Sequence, residues 1–273
     1  MNDAGWTELE RDGTRLAVRD FGGAGPTVLL LHGLGGHAGE WAATAAALTA
    51  KHRVLAPDAR GHGRSERHPA DVTREACAAD VVHVAARLDC DSVALVGQSL
   101  GGHTALLVAA AQPALVRALV VAEASPLAAD DAAGFAADLA ATLRRWPVPF
   151  GAREDAVAFF AGRGWSPGAA EAWADGLELR ADGWRPGFEV GTMERMLHEA
   201  VARDRWDAWE RIACPVLVVR GEHGTLARET ADEMARRTTG ARAVEIADAG
   251  HDVHLDQPEA WRTTLARFLA DVG

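Results

Sequence analysis

The sequence predicts an α/β protein: a mostly parallel, eight-stranded sheet covered by helices, with a helical segment inserted late in the chain. Three observations predict it. Short apolar runs alternate with helical patterns. The runs are continuously apolar, as strands buried on both faces must be, not alternating. From Leu127 to about Arg211 the alternation stops, and helical patterns broken by Pro147, Pro149, Pro167 and Pro186 take over. A chain of 273 residues, 48% apolar and 25% charged, is long enough for one such domain with a large core.

The expected strands are 7–11, 15–21, 27–31, 53–56, 92–96, 118–122, 216–220 and 243–246, the first two joined by a hairpin turn at Asp12-Gly13. The expected helices are 41–50, 73–88, 102–112, 227–237 and 258–272. These divide the chain into a core, residues 1–126 and 212–273, and an insertion, 127–211, expected to form a lid. Six of the nine tryptophans fall in the insertion: Trp146, Trp165, Trp173, Trp184, Trp206 and Trp209. Most are expected to pack the lid onto the sheet, with one or two lining an apolar pocket.

Composition narrows the partners. A net charge of −11 without a basic run repels a phosphate backbone, so nucleic acid is not expected. No apolar run reaches the roughly 18 residues that span a bilayer, and the first ten residues lack the pattern of a secretory leader. The three cysteines, Cys77, Cys90 and Cys214, are odd in number and lack metal-ligand spacing, which suits reduced, buried thiols. A cytoplasmic monomer or homodimer acting on a small molecule, without membrane, metal or cofactor, is the expectation.

Gly97-Gln98-Ser99-Leu100-Gly101 carries the chemistry. It lies between an apolar strand and an alanine-rich helix. Such a turn lifts a serine hydroxyl above the sheet edge and aims helix N-terminal amides at any anion formed beside it. With five serines in the chain, roughly 0.05 chance matches to this pattern are expected, so coincidence is a poor explanation. A serine needs a base. Of the 11 histidines, His251 is placed at the same carboxyl edge of the sheet, in the loop after the last strand. His32, in His32-Gly33-Leu34-Gly35-Gly36, is expected to fix its own loop, and His62 its own turn. His254 is expected to stand behind His251, and His37 and His223 to lie near the site.

The ordered set Leu31-His32-Gly33-Leu34-Gly35, Asp58 to Ser65, Gly97 to Gly101 and Ala249-Gly250-His251 resembles the α/β-hydrolase superfamily over essentially the whole chain outside the insertion. The resemblance implies Ser99 as nucleophile, His251 as general base, and the backbone N–H groups of Leu34 and Leu100 as an oxyanion hole. Each such donor contributes about 3–4 kcal/mol to barrier lowering. His32, Gly33, His103, Trp146 and Trp165 are the candidate substrate contacts.

The third triad member departs from the common pattern. Where family members carry an aspartate after the penultimate strand, this chain reads Gly221-Glu222-His223-Gly224. Glu123, ending the strand after the nucleophile helix, is the expected acid and resembles the relocated acid of some branches. Glu222 is the alternative, while Asp248 and Asp252 are too near His251 in the chain to reach the correct ring nitrogen. Serine rather than aspartate at the elbow, and the absence of any tyrosine, set the chain apart from dehalogenases and epoxide hydrolases. The expected reaction is hydrolysis of a small, partly apolar ester or lactone through an acyl-enzyme. The alternatives are a cofactor-free C–C hydrolase, lyase or cyclase, and a receptor-like member that binds without turnover.

Overall fold

A computed structural model describes residues 5–272. Part of the stretch read for a leader, residues 1–4, lies outside them. Strands β1 (Trp6–Arg11) and β2 (Thr14–Gly22) form the expected hairpin, with Asp12 and Gly13 both at positive φ, as a two-residue turn of this hand requires. β3 (Thr27–Leu31) is followed by a 3₁₀ turn, Ala38–Trp41, that feeds α1 (Ala42–Leu48). The helix expected over 41–50 is thus shorter, its start tightened because the His37 ring and Glu40 carboxylate cap the 3₁₀ turn. Then come β4 (Arg53–Pro57), α2 (Arg74–Arg87), β5 (Val93–Gln98), α3 (Leu100–Ala111) and β6 (Val116–Ala122).

The insertion folds as α4 (Ala132–Arg144), α5 (Arg153–Ala161), α6 (Pro167–Asp175), β7 (Leu177–Arg180), β8 (Gly183–Pro186), α7 (Val190–Val201) and α8 (Trp206–Glu210). The expectation of a strand-free insertion is corrected here. β7 and β8 pair as an antiparallel hairpin, and Phe150 adds an isolated bridge to Trp184. Each strand has four residues, too few for a period of two to stand out among prolines. The chain returns to the core with β9 (Val216–Gly221), α9 (Arg228–Arg237), β10 (Ala241–Ile246), α10 (Val253–Asp256) and α11 (Pro258–Val272).

The eight-stranded sheet runs β1-β2-β4-β3-β5-β6-β9-β10, parallel from β4 onward, with β2 antiparallel to β4. Apolar side chains leave both faces. Leu29, Leu95, Leu119 and Val218 enter one core with α2 and α3, and Val28, Val96, Val120 and Val219 enter the other with α1 and α11. Each fully buried side chain of this size is worth about 1.5–3 kcal/mol. The three cysteines are free and buried. Among the described residues no helix is long and apolar enough to cross a membrane.

Register decides what meets at the carboxyl edge. Gln98 pairs with Ala122, Ala122 with Val219, and Gly221 with Ile246. The residues just past these ends, Ser99, Glu123, the 222–225 turn and the 248–251 loop, therefore stand side by side.

Candidate active site

Ser99 begins where β5 stops. Its amide donates to the Ala122 carbonyl at 2.8 Å, closing the strand ladder, and its φ of 51° then turns the chain into α3. A non-glycine residue at positive φ is strained, and the surroundings hold it there. A Cβ on Gly97 would lie 2.3 Å from the Gly101 carbonyl oxygen, and one on Gly101 would lie 2.2 Å from that of Leu31. Only glycine fits at either place, so the motif's spacing is a packing requirement of the turn.

Glu123 repeats the device one strand over. Its amide donates to the Val219 carbonyl at 2.9 Å, its φ is 51°, and its side chain is buried beneath the His251 loop. Oε1 accepts from the Gly221 amide at 2.7 Å, and Oε2 accepts from the amides of Thr225 and Leu226 at 2.5 and 3.1 Å. Oε2 also faces Nδ1 of His251 at 3.3 Å. Burial pushes the carboxyl toward protonation, but the His251 contact and the backbone amides outweigh it, and its pKa lies below the ordinary carboxylate value. For His251 burial again opposes charge, yet the Glu123 contact and the carboxylates of Asp252 and Asp256 raise its pKa above the ordinary 6.5.

The structure thus brings Glu123, not Glu222, to His251. Glu222 is exposed and accepts from the Asp248 amide at 3.0 Å. Asp252 accepts from Trp173 Nε1 at 3.1 Å and lies 3.4 Å from the Gln98 amide nitrogen, with burial raising its pKa. Glycine at 224 is what admits the acid from β6. A Cβ there would lie 2.2 Å from Glu123 Oε1 and 2.4 Å from Oε2.

The loop carrying Leu34 rests against Ser99: a Cβ on Gly33 would lie 3.3 Å from that of Ser99. His32 is buried, with Nδ1 on the Gly33 carbonyl at 2.7 Å and Nε2 accepting from the Ala59 amide at 3.0 Å. Both ring nitrogens are spent on backbone. Its expected place as a substrate contact is therefore corrected to that of a loop anchor. His62 does more than hold its own turn. Nδ1 lies 3.1 Å from the Arg60 carbonyl, and Nε2 accepts from the Gly35 amide at 2.9 Å. Burial, helped by His32, pushes its pKa down to about 3. The depressed value means that the unfolded chain binds this proton first. The stability His62 contributes is present above about pH 6.5 and is lost as pH falls toward about 3. Thermal unfolding across that window should show a shallower acid loss in His62→Gln than in the native chain. Parallel curves would dismiss this role.

His103 is buried on α3, where burial and the positive charges of Arg74 and Arg205 hold its pKa well below ordinary, so it stands neutral. Trp146 and Trp165 join one aromatic cluster with Phe160, Trp173 and Phe188, with Trp165 stacked on Phe160 at 4.8 Å. The side chains of Leu34 and Leu100, the neighbours of Gly33 and Ser99 in the chain, pack into that same apolar cluster. His254 stacks on Trp41 at 4.1 Å and pairs with Glu40, while His37 reaches the Ala172 carbonyl at 3.0 Å. Among the described residues, Glu222, exposed His223 and Asp248 bring potential metal-ligating atoms within 4.8 Å of one another, where Glu222 is already engaged by the Asp248 amide.

Three contributors escape a reading of the sequence. Gln98 Nε2 donates to the His251 carbonyl at 2.9 Å, tying the loop of the candidate base to the residue before Ser99. Trp173 lies over Gly35 while donating to Asp252, so α6 grips both loops. The Thr225 hydroxyl stands 2.9 Å from His251 Nδ1. Gln98 lay inside the quoted motif, and Thr225 beside the anomalous Gly224. Only tertiary contact reveals what either touches.

A comparison with known families agrees with this fold. Residues 28–263 match the family described as the alpha/beta hydrolase family. The chain belongs to it. The 3-hydroxybutyrate-oligomer hydrolase of Cupriavidus necator is 31% identical over 87% of this chain and 87% of its own. The sn-1-specific diacylglycerol lipase of Xenopus laevis is 31% identical over 90% and 80%. An uncharacterized protein of Mycobacterium tuberculosis is 37% identical, but over only 43% of this chain and 34% of its own length. Among solved structures, E-2-(acetamidomethylene)succinate hydrolase superposes with a TM-score of 0.88 at 25% identity, covering 97% and 98% of the two chains. The enol-lactonase of Burkholderia xenovorans gives 0.76 at 26%, covering 97% and 100%.

Proposed function

We propose that the protein is a serine hydrolase that cleaves a carboxylic ester or lactone of a small, partly apolar substrate through an acyl-enzyme. One observation carries the reading: Ser99, at positive φ, follows Gln98, whose side-chain amide donates to the His251 carbonyl, and His251 is in turn paired with Glu123. Ser99 Oγ attacks the carbonyl carbon as His251 Nε2 takes its proton. The N–H groups of Leu34 and Leu100 hold the oxyanion, and Glu123 balances the imidazolium. Collapse expels the alkoxide, which takes the proton from His251. Water then attacks the acyl-enzyme, His251 receives its proton, and the acid departs as that proton returns to Ser99. The insertion serves as lid, and its tryptophans supply an apolar wall that shelters the acyl or alcohol portion. Relatives named lipase and enol-lactonase favour ester and lactone substrates.

A fluorophosphonate probe should label Ser99 in the folded protein and fail to label Ser99→Ala. Short p-nitrophenyl esters and aryl lactones should then turn over. Absence of labelling in the folded chain defeats the activated-serine reading. Labelling without turnover of either panel, but with cleavage of a β-diketone, transfers the protein to C–C hydrolysis.

A further inference from the structure

We propose that Thr225 is a positioning residue whose hydroxyl bridges Glu123 and His251, fixing the imidazole tautomer that leaves Nε2 free to take a proton. The proposal rests on the serine-hydrolase reading for its catalytic meaning, though its geometry stands apart from it. The distances are what single out Thr225. Glu123 Oε2 lies 3.3 Å from His251 Nδ1, just beyond the usual N–H···O range, whereas Thr225 Oγ1 lies 2.9 Å from the same nitrogen. That hydroxyl is also 3.1 Å from Oε2. Oε2 also accepts from the amides of Thr225 and Leu226, so the loop that bears the hydroxyl is held against the carboxylate, with the hydroxyl nearer to the imidazole than the carboxylate is.

The direction of the protons follows from what each group can donate. The hydroxyl has one proton, and the buried carboxylate is a stronger acceptor than a neutral imidazole nitrogen. Were Nδ1 unprotonated, its lone pair would face a negative oxygen. The arrangement that satisfies every atom has Nδ1–H donating to Thr225 Oγ1 and Thr225 O–H donating to Oε2. The charge that develops on His251 is then sensed by Glu123 both directly and through the hydroxyl. Thr225 is suited to this because its branched Cβ restricts χ1, and because its own amide holds the same carboxylate oxygen.

The test compares Thr225→Val, which keeps shape but loses the hydroxyl, with Thr225→Ser, which keeps the hydroxyl. The second-order rate constant for fluorophosphonate labelling of Ser99 should fall about 10- to 100-fold in the valine variant and recover to within about threefold in the serine variant. ¹⁵N NMR of His251 above its pKa should report the Nδ1–H tautomer in the native and serine proteins, and a substantial Nε2–H population in the valine variant. A change a merely structural residue would cause, such as lost thermal stability, leaves this tautomer unmoved. Thr225→Ala serves the same comparison where the valine variant does not fold. A hydroxyl-free variant with native labelling rate and native tautomer overturns the proposal. If the native protein is not labelled at all, the hydrolase reading falls, and the NMR comparison alone decides the role of Thr225.

Discussion

Glu123→Gln is expected to lower kcat by about 10⁴-fold, the scale set when a triad histidine loses its charged acceptor. The substitution changes almost no volume, so the loss is one of charge and hydrogen-bond direction. A carboxylate accepts at both oxygens, and here those oxygens face the amides of Gly221, Thr225 and Leu226. A glutamine amide must turn its NH₂ toward one side and confront a donor there, costing about 1–3 kcal/mol of stability. The pH profile should move as well. In the proposed mechanism His251 serves as base only when neutral, and its carboxylate neighbours raise its pKa above 6.5. The acid limb of kcat/KM therefore lies above pH 6.5 in the native protein, with activity lost as pH falls through it. Removing the Glu123 charge lowers that midpoint. Near-native kcat in Glu123→Gln, with collapse in Glu222→Gln, would move the acid to Glu222.

Gly224→Ala should be almost as damaging, although it touches neither Ser99 nor His251. The glycine has ordinary backbone geometry, so a side chain is refused by the carboxylate, 2.2–2.4 Å from where Cβ would sit, and not by strain. The methyl must displace the acid, at about 1–3 kcal/mol in stability. A shift on the order of 1 Å at a catalytic group costs about 10²-fold in rate. The reciprocal exchange sharpens the point. Glu123→Ala vacates the space, and adding Gly224→Asp should restore at least about tenfold of the activity lost, because an acid returns by the other route. Steady-state kinetics and thermal unfolding of the four proteins check this. A fully active Gly224→Ala ends the steric argument, and a double variant no better than Glu123→Ala ends the exchange.

The turn at Ser99 and the place of His251 were legible because their constraints are local. Gly97 and Gly101 are demanded by atoms of the same turn or the adjoining strand, and His251 by its place after the last strand. Glu123 was legible as one of two candidates, since the missing aspartate left it and Glu222 at the same edge, and only the fold shows which of them meets His251. The hairpin of β7 and β8 was not, since two strands of four residues each, most of them half-buried and set among prolines, carry too little pattern. Nor were Gln98, Thr225 and Trp173. Their partners lie 153, 26 and 79 positions away, and no local preference of glutamine, threonine or tryptophan names them. His62 shows the same limit. Its turn was expected, but its grip on the Gly35 amide crosses 27 positions.

Helix α6 has an implication for any attempt to redesign specificity. It is bonded to the Leu34 loop through His37 and the Ala172 carbonyl, to the His251 loop through Trp173–Asp252, and to α10 through Ser166–Asp256, whose carboxylate also accepts from the Gly250 amide. In chain order it belongs to the insertion; mechanically it is a keystone of the core. Grafting another enzyme's insertion over residues 127–211 would remove the wedge that spaces the two loops, unless Ser166, Ala172 and Trp173 travel with it. Helix α7 would have to travel as well, because Thr192, Met193 and Met196 close over Gly61 and the two methionines share a core with Leu100.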